Sequence, residues 1–290
     1  MPRRPREVAA LLLACGAAAA LVAVISFSVA GSGRAGTANP ATRGAAGPDS
    51  TAPAGGGHAT AGQTTTTEAS SSPGLRSETI TLSHPSPPSY SVSCSYPQLG
   101  NSAGRKSAIV DLALKAAASA SVLRFEALVK SVQADPSASG AGASLLSCSW
   151  RSTLASRLLA SFVFVGSAFV AGAAHPLATA ETFTFDLASG RRVALAGLFR
   201  RGSPWLEVLS SETRKLLALL PSVNGSPTLA AGTAPELSSF SAWSLTKAGL
   251  QITFQEYQVA PYALGMPTVT IPLRDLRSVA APGGPLAGAG

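Results

Sequence analysis

The chain has 290 residues, room for one or two domains. It carries a net charge of +8 at pH 7 with only 12% charged residues. That basic excess is too dilute for a nucleic-acid footprint, because residues 77–282 hold 16 basic and 11 acidic side chains, a net of +5.

Arg3, Arg4 and Arg6 precede a run of 26 residues, 8–33, without a charged side chain. Spanning a bilayer takes about 20 apolar residues, so the length favours an uncleaved signal anchor with residues 1–7 as a short basic cytoplasmic end. Ser28-Val29-Ala30 offers a small-x-small cleavage site and keeps secretion as the alternative. Leu12 to Cys15 forms an imperfect lipobox, the least favoured of the three. Each reading places the remainder outside the cytoplasm. Residues 34–76 are Gly, Ala, Ser, Thr and Pro with few interruptions, the composition of a disordered stalk. Cys94 and Cys148 then form an even pair in an exported domain and are expected to be bonded. Without histidines at ligand spacing they make no metal site, and no cofactor motif is present.

Folding is expected over residues 77–282, followed by a disordered tail at 283–290. Short strands are predicted at 79–82 and 90–96, with His84 in the turn-rich segment between them. Residues 103–132 have helical periodicity, with Ile109, Leu112, Ala116, Leu123 and Ala127 as the stripe expected to be buried. A strand at 145–153 carries Cys148 and Trp150, and residues 158–170 form one or two central β-segments too short and broken to span a membrane.

Residues 182–187 alternate, with Phe183, Phe185 and Leu187 on one face. A turn at Ser189-Gly190 follows, then Arg191 and Arg192, then a short apolar helical turn ending at Leu198 and Phe199. Ser203-Pro204 resembles a cap with proline at the first helical position. The helix after it is expected to bury Trp205, Leu209, Leu216 and Leu219 or Leu220, and Pro221 stops it. Residues 240–245 and 250–257 read as hairpin partners across 246–249, with Glu256 on the phase of the apolar residues. A last strand lies at 269–271 and a short turn at 273–279.

AHP at 174–176, TFTFDLASGRRVALAGLF at 182–199, and FSAWSLTKAGLQITFQEYQVAPYALGMPTVTIPLRDL at 240–276 together resemble the extracytoplasmic domain of RsiV-type, lysozyme-sensing anti-sigma factors. That domain also occurs attached to a peptidoglycan deacetylase and resembles secreted mycobacterial immunogenic antigens. The matching positions are Tyr96-Pro97, Gly172 with His175-Pro176, Phe185-Asp186-Leu187, Gly190, Leu198-Phe199, and Glu256-Tyr257 through Ala260-Pro261-Tyr262 with Gly265. A second glycine usual before Ala-His-Pro is Ala173 here. The resemblance implies an α+β fold, a mixed or antiparallel sheet with packed helices, in the cell envelope. It implies neither catalysis nor regulation. With at most seven residues ahead of the apolar run, no sigma factor is expected as a partner.

Three functional readings follow. A non-enzymatic module would bind a protein or a cell-wall polymer, with Arg191, Arg192, Arg200 and Arg201, and with Tyr257 and Tyr262, as ligand contacts. A wall-directed hydrolase would use His175, Asp186 and Glu256, although no GxSxG elbow or HExxH motif is present. Lysozyme is the protein partner suggested by the resemblance, yet its own basic charge opposes steering toward a domain of net +5. In the plainest structural reading, His175 bonds to backbone at a turn and Glu256 accepts main-chain amides of residues 260–264.

Overall fold

The computed structural model describes residues 74–100, 104–133 and 142–287. The expected cytoplasmic end, the apolar run at 8–33 and nearly all of the stalk lie outside these residues. Among the described residues no helix is long and apolar enough to cross a membrane.

The fold is α+β. Six strands, β1 (Leu75–His84), β2 (Tyr90–Leu99), β3 (Ser144–Ala155), β4 (Leu159–Phe169), β5 (Leu177–Asp186) and β6 (Arg191–Arg192), lie side by side in chain order. All neighbours are antiparallel except β2 and β3, which run parallel. A parallel neighbour needs a crossover, and α1 (Arg105–Gln133) supplies it. A second sheet orders β7 (Trp243–Leu245), β8 (Gly249–Thr253) and β9 (Thr268–Pro272), all antiparallel. Helices α2 (Trp205–Ala218), α3 (Leu229–Gly232) and α4 (Leu273–Leu276) belong to this second half.

Strand pleating explains two cores. On β4 and β5, Ala160, Phe162, Phe164, Phe183 and Phe185 point to one face and pack with α1, Val92, Cys94 and Tyr96. Their alternating neighbours Ser161, Thr182 and Thr184 are buried on the other face, toward the second sheet. There, Leu209, Leu217, Phe240, Leu245, Ile252, Phe254 and Ile271 form the second core. Three buried hydroxyls join the halves. Ser161 Oγ accepts the Leu245 N–H at 3.0 Å and lies 2.7 Å from Thr184 Oγ1. Thr182 Oγ1 accepts the Trp243 N–H at 2.9 Å. An edge strand thus finds its missing backbone partners in side chains of another sheet.

Cys94 and Cys148 occupy paired positions on β2 and β3 and are joined in a disulfide. The β5–β6 turn uses Gly190 at φ +73°, where a Cβ would come within 2.8 Å of the Lys106 carbonyl oxygen. Only glycine permits that approach.

Several expectations are corrected. Helix α1 buries Val110, Leu114, Ala118, Val122, Phe125 and Val129, not the expected stripe. Ile109, Leu112 and Leu123 are 48%, 69% and 64% exposed. The helix is apolar on both sides, and the bulkier, continuous row at spacings of three and four fills the sheet. Helix α2 buries Leu209, Ser210, Thr213 and Leu217, while Trp205 and Leu216 pack at its margin and Leu219 and Leu220 are exposed. Ser203 does not cap it: Pro204 holds the N-cap position, and Ser203 Oγ donates to the Arg200 carbonyl at 2.7 Å. Strand β1 starts at Leu75, and β2 continues to Leu99 through the segment expected to lead out of it. Beyond residue 282, Leu286 is 5% exposed and joins the second core.

Candidate functional site

Three rings named from the sequence meet on the surface where the β4–β5 connection faces the loop after β8. His175 stacks on Tyr262 with ring centroids 3.9 Å apart, and Tyr257 lies 5.8 Å from Tyr262. The Tyr257 hydroxyl is 3.3 Å from His175 Nε2. His175 Nδ1 is 3.0 Å from the Pro176 carbonyl, which can only accept, so Nδ1 carries a proton. In the neutral ring Nε2 then accepts from Tyr257. Tyr262 also donates to the Pro176 carbonyl, at 3.1 Å.

Local structure makes this cluster rigid. After β8 the chain turns through Tyr257 at φ +65°, a left-handed conformation that costs a residue with a Cβ about 1–3 kcal/mol. Gln258 secures the turn from within. Its Oε1 accepts the Gln255 N–H at 2.9 Å, and its Nε2 donates to the Gly232 and Ser239 carbonyls, each at 2.9 Å. Val259 and Ala260 are buried immediately after it. Pro261 then starts a single 3-10 turn, Tyr262–Leu264, closed by Gly265 at φ +62°. The rings stand outward between buried anchors, with Tyr257 50% exposed and Leu177 and Leu264 also accessible. Neither leucine was singled out in the sequence.

Glu256 and Gln255 face β5. Glu256 Oε2 accepts the Ala178 N–H at 2.9 Å, which replaces the expected capping of residues 260–264. The Gln255 carboxamide takes the Ala180 N–H at 2.9 Å and donates to the Ala180 carbonyl at 2.8 Å.

Asp186 sits at the far end of β5, about 30 Å along the strand from its start beside His175. There its Oδ1 accepts the N–H groups of Ala188 and Ser189 in the turn. Asp186 therefore lies apart from His175 and Glu256, which both sit near the start of β5. Among the described residues no group of three or more His, Cys, Asp or Glu side chains could hold a metal ion.

The arginines divide. Arg192 donates to the Thr182 carbonyl at 2.7 Å, with its guanidinium 4.5 Å from the centre of the Phe183 ring. Desolvation there lowers its pKa from the ordinary arginine value, opposed by Glu181, and it stays a cation. Arg200 donates to the Ser278 carbonyl at 2.5 Å. Arg191 and Arg201 are exposed on either side of the 3-10 turn Leu195–Leu198.

Residues 197–274 match the family model described as "Protein of unknown function (DUF3298)". A crystal structure of a DUF3298 member from Bacteroides fragilis is similar at a TM-score of 0.51 and 13% identity, covering 74% of this chain and 96% of that one. A DUF3298 structure from Pseudomonas aeruginosa is similar at a TM-score of 0.48 and 15% identity, covering 72% of this chain and 95% of that one. The Bacteroides likeness is one of fold. No curated protein matches the chain. The expected resemblance is met at the coarser level of similarity to DUF3298 over residues 197–274.

Proposed function

We propose that this is a non-enzymatic module of the cell envelope that binds an extracellular ligand on the surface made by His175, Tyr257 and Tyr262. The observation carrying this reading is a set of stacked surface rings, His175 and Tyr257 exposed and Tyr262 half-buried, presented by a left-handed turn that the contacts of Gln258 hold in place. Such a surface offers ring faces and phenol hydroxyls together, which suits the apolar face and hydroxyl rim of a sugar ring. Leu177 and Leu264 give it an apolar border. The export reading of residues 8–33 and the Cys94–Cys148 bond support an envelope placement, as disulfides persist in oxidising compartments. A wall glycan is therefore the proposed ligand class.

An anionic wall polymer is the second reading, with contacts on the arginine pairs. Arg192 and Arg200 are drawn to main-chain carbonyls, so Arg191 and Arg201 would supply most of that attraction.

The test is a pulldown of the full chain against isolated cell-wall fractions and against lysozyme, at low and physiological salt. Wall binding that is lost in Tyr257→Ala and Tyr262→Ala supports the aromatic site. Retention in both variants, with loss when all four arginines become serine, moves the site to the arginine surface. Capture of lysozyme alone replaces the glycan with a protein ligand. Turnover of a wall-derived substrate that His175→Ala abolishes would overturn the binding-module reading in favour of the hydrolase.

A further inference from the structure

Helix α1 has two apolar faces, and the fold covers one of them. Val110, Leu114, Ala118, Val122, Phe125 and Val129 are buried on the large sheet. Ile109, Leu112, Ala116, Leu123 and Ala127 face away from it and are exposed. With about 3.6 residues per turn, these five lie within an arc of about 60°. Leucine at 69% and 64% exposure, at residues 112 and 123, is a large apolar surface to leave in water on one helix.

Cations outnumber acids around this stripe. Lys115 borders it on one side and Lys106 and Arg124 on the other, with Arg105 and Lys130 near its ends. The two acids of the helix are turned toward the sheet. Asp111 Oδ1 accepts the Leu99 N–H at 2.7 Å, and Glu126 Oε1 accepts the Tyr90 hydroxyl at 2.8 Å. Glu181 on β5 pairs with Arg124. Two such helices packed face to face would set lysine and arginine margins against each other, which disfavours a second copy as the occupant. An anionic bilayer surface satisfies both features, because acyl chains accept the leucines while the headgroups draw the flanking cations. Since α1 does not qualify as a spanning helix, it would lie in the plane of the interface.

We propose that the outer face of α1 is a docking surface for an anionic lipid bilayer, with Ile109, Leu112 and Leu123 at the acyl boundary and the flanking lysines and arginines among the headgroups. It is distinct from the aromatic site and from any anchorage through residues 8–33. The face would draw the domain onto the membrane that bears the chain.

The experiment reconstitutes the full chain carrying Leu112→Trp into vesicles with brominated acyl chains, either zwitterionic phosphatidylcholine alone or with phosphatidylglycerol. Quenching above the background of Trp150, Trp205 and Trp243 reports contact of residue 112 with lipid. The expected result is severalfold greater excess quenching in the anionic vesicles, reduced by added salt. Adding Lys106→Glu and Lys115→Glu should lower the docked-to-undocked ratio roughly tenfold or more. Residue 112 is 69% exposed, so these changes leave the core intact, which circular dichroism checks. Equal quenching in both vesicles, or none, overturns the proposal. Absence of quenching with cross-linking between copies of a Leu112→Cys chain assigns the face to self-association. Excess emission from the Leu112→Trp chain that is blue-shifted but unquenched assigns it to another segment of the same chain.

Discussion

Glu256 Oε2 accepts the main-chain N–H of Ala178 at 2.9 Å, the first contact in a row of side chains along the open edge of β5. Gln255 pairs with both backbone groups of Ala180, and Arg192 donates to the Thr182 carbonyl. Val193 continues the row through its own N–H to the Thr184 carbonyl at 2.7 Å. Residues 178, 180, 182 and 184 alternate as one edge of a strand must, and the row occupies positions a longer β6 would otherwise take. Replacing Glu256 by glutamine preserves an acceptor and should change stability little. Replacing it, or Gln255, by leucine should cost about 1–3 kcal/mol, read from the urea midpoint.

The disulfide closes a loop with a sequence separation of 54 between Cys94 and Cys148. Serine at both positions should lower stability by roughly 2–4 kcal/mol. Thiol labelling of the denatured, unreduced chain should leave both cysteines unmodified, and stoichiometric labelling of Cys94 would rule the bridge out.

Ser161→Ala should leave the Leu245 N–H buried without its acceptor, and Thr182→Val should do the same for Trp243. Each is expected to cost about 1–3 kcal/mol. The loss should appear as faster hydrogen exchange at those two amides ahead of global unfolding. Unchanged exchange at both would show that the side-chain acceptors are dispensable.

Tyr257 combines a strained backbone with an exposed ring, and two variants separate them. Tyr257→Gly removes the φ +65° penalty, so it should be more stable than Tyr257→Ala by about 1 kcal/mol in thermal unfolding. Both remove the ring and should lose the ligand equally. Equal stability would show that the turn relaxes once the ring is gone.

Element type was largely legible in the sequence, because strands such as 182–187 alternate and residues 105–132 contain neither glycine nor proline. The buried face of α1 was not. Both Ile109-Leu112-Ala116 and Val110-Leu114-Ala118 satisfy helical spacing, and only the sheet decides between them. Cation placement beside the first set was the available signal. At the site, His175, Tyr257 and Tyr262 could be named but not brought together, since the stacked pair is separated by more than eighty residues. The left-handed turn that presents Tyr257 has no glycine to announce it. A ten-residue strand separates Asp186 from His175, a distance that strand rise alone makes legible in the sequence. Ser203 matched a capping pattern, but Pro204 itself took the cap position and the hydroxyl turned back to Arg200.

The bond between Cys94 and Cys148 also determines how the domain bears load. Tension arriving along the chain from its N-terminal side enters at Leu75, at the open end of β1, which pairs with β2 from Leu75↔Leu99 to His84↔Tyr90. Once β1 and the start of β2 have peeled away, the pull reaches Cys94 and passes through the sulfurs directly into β3. Helix α1 and the rest of the enclosed ring then lie off the line of force. Their contour, about 180 Å for a separation of 54 residues, cannot be drawn out until the disulfide is reduced. The bridge works as a mechanical stop, and a reductant would convert a short extension into a long one.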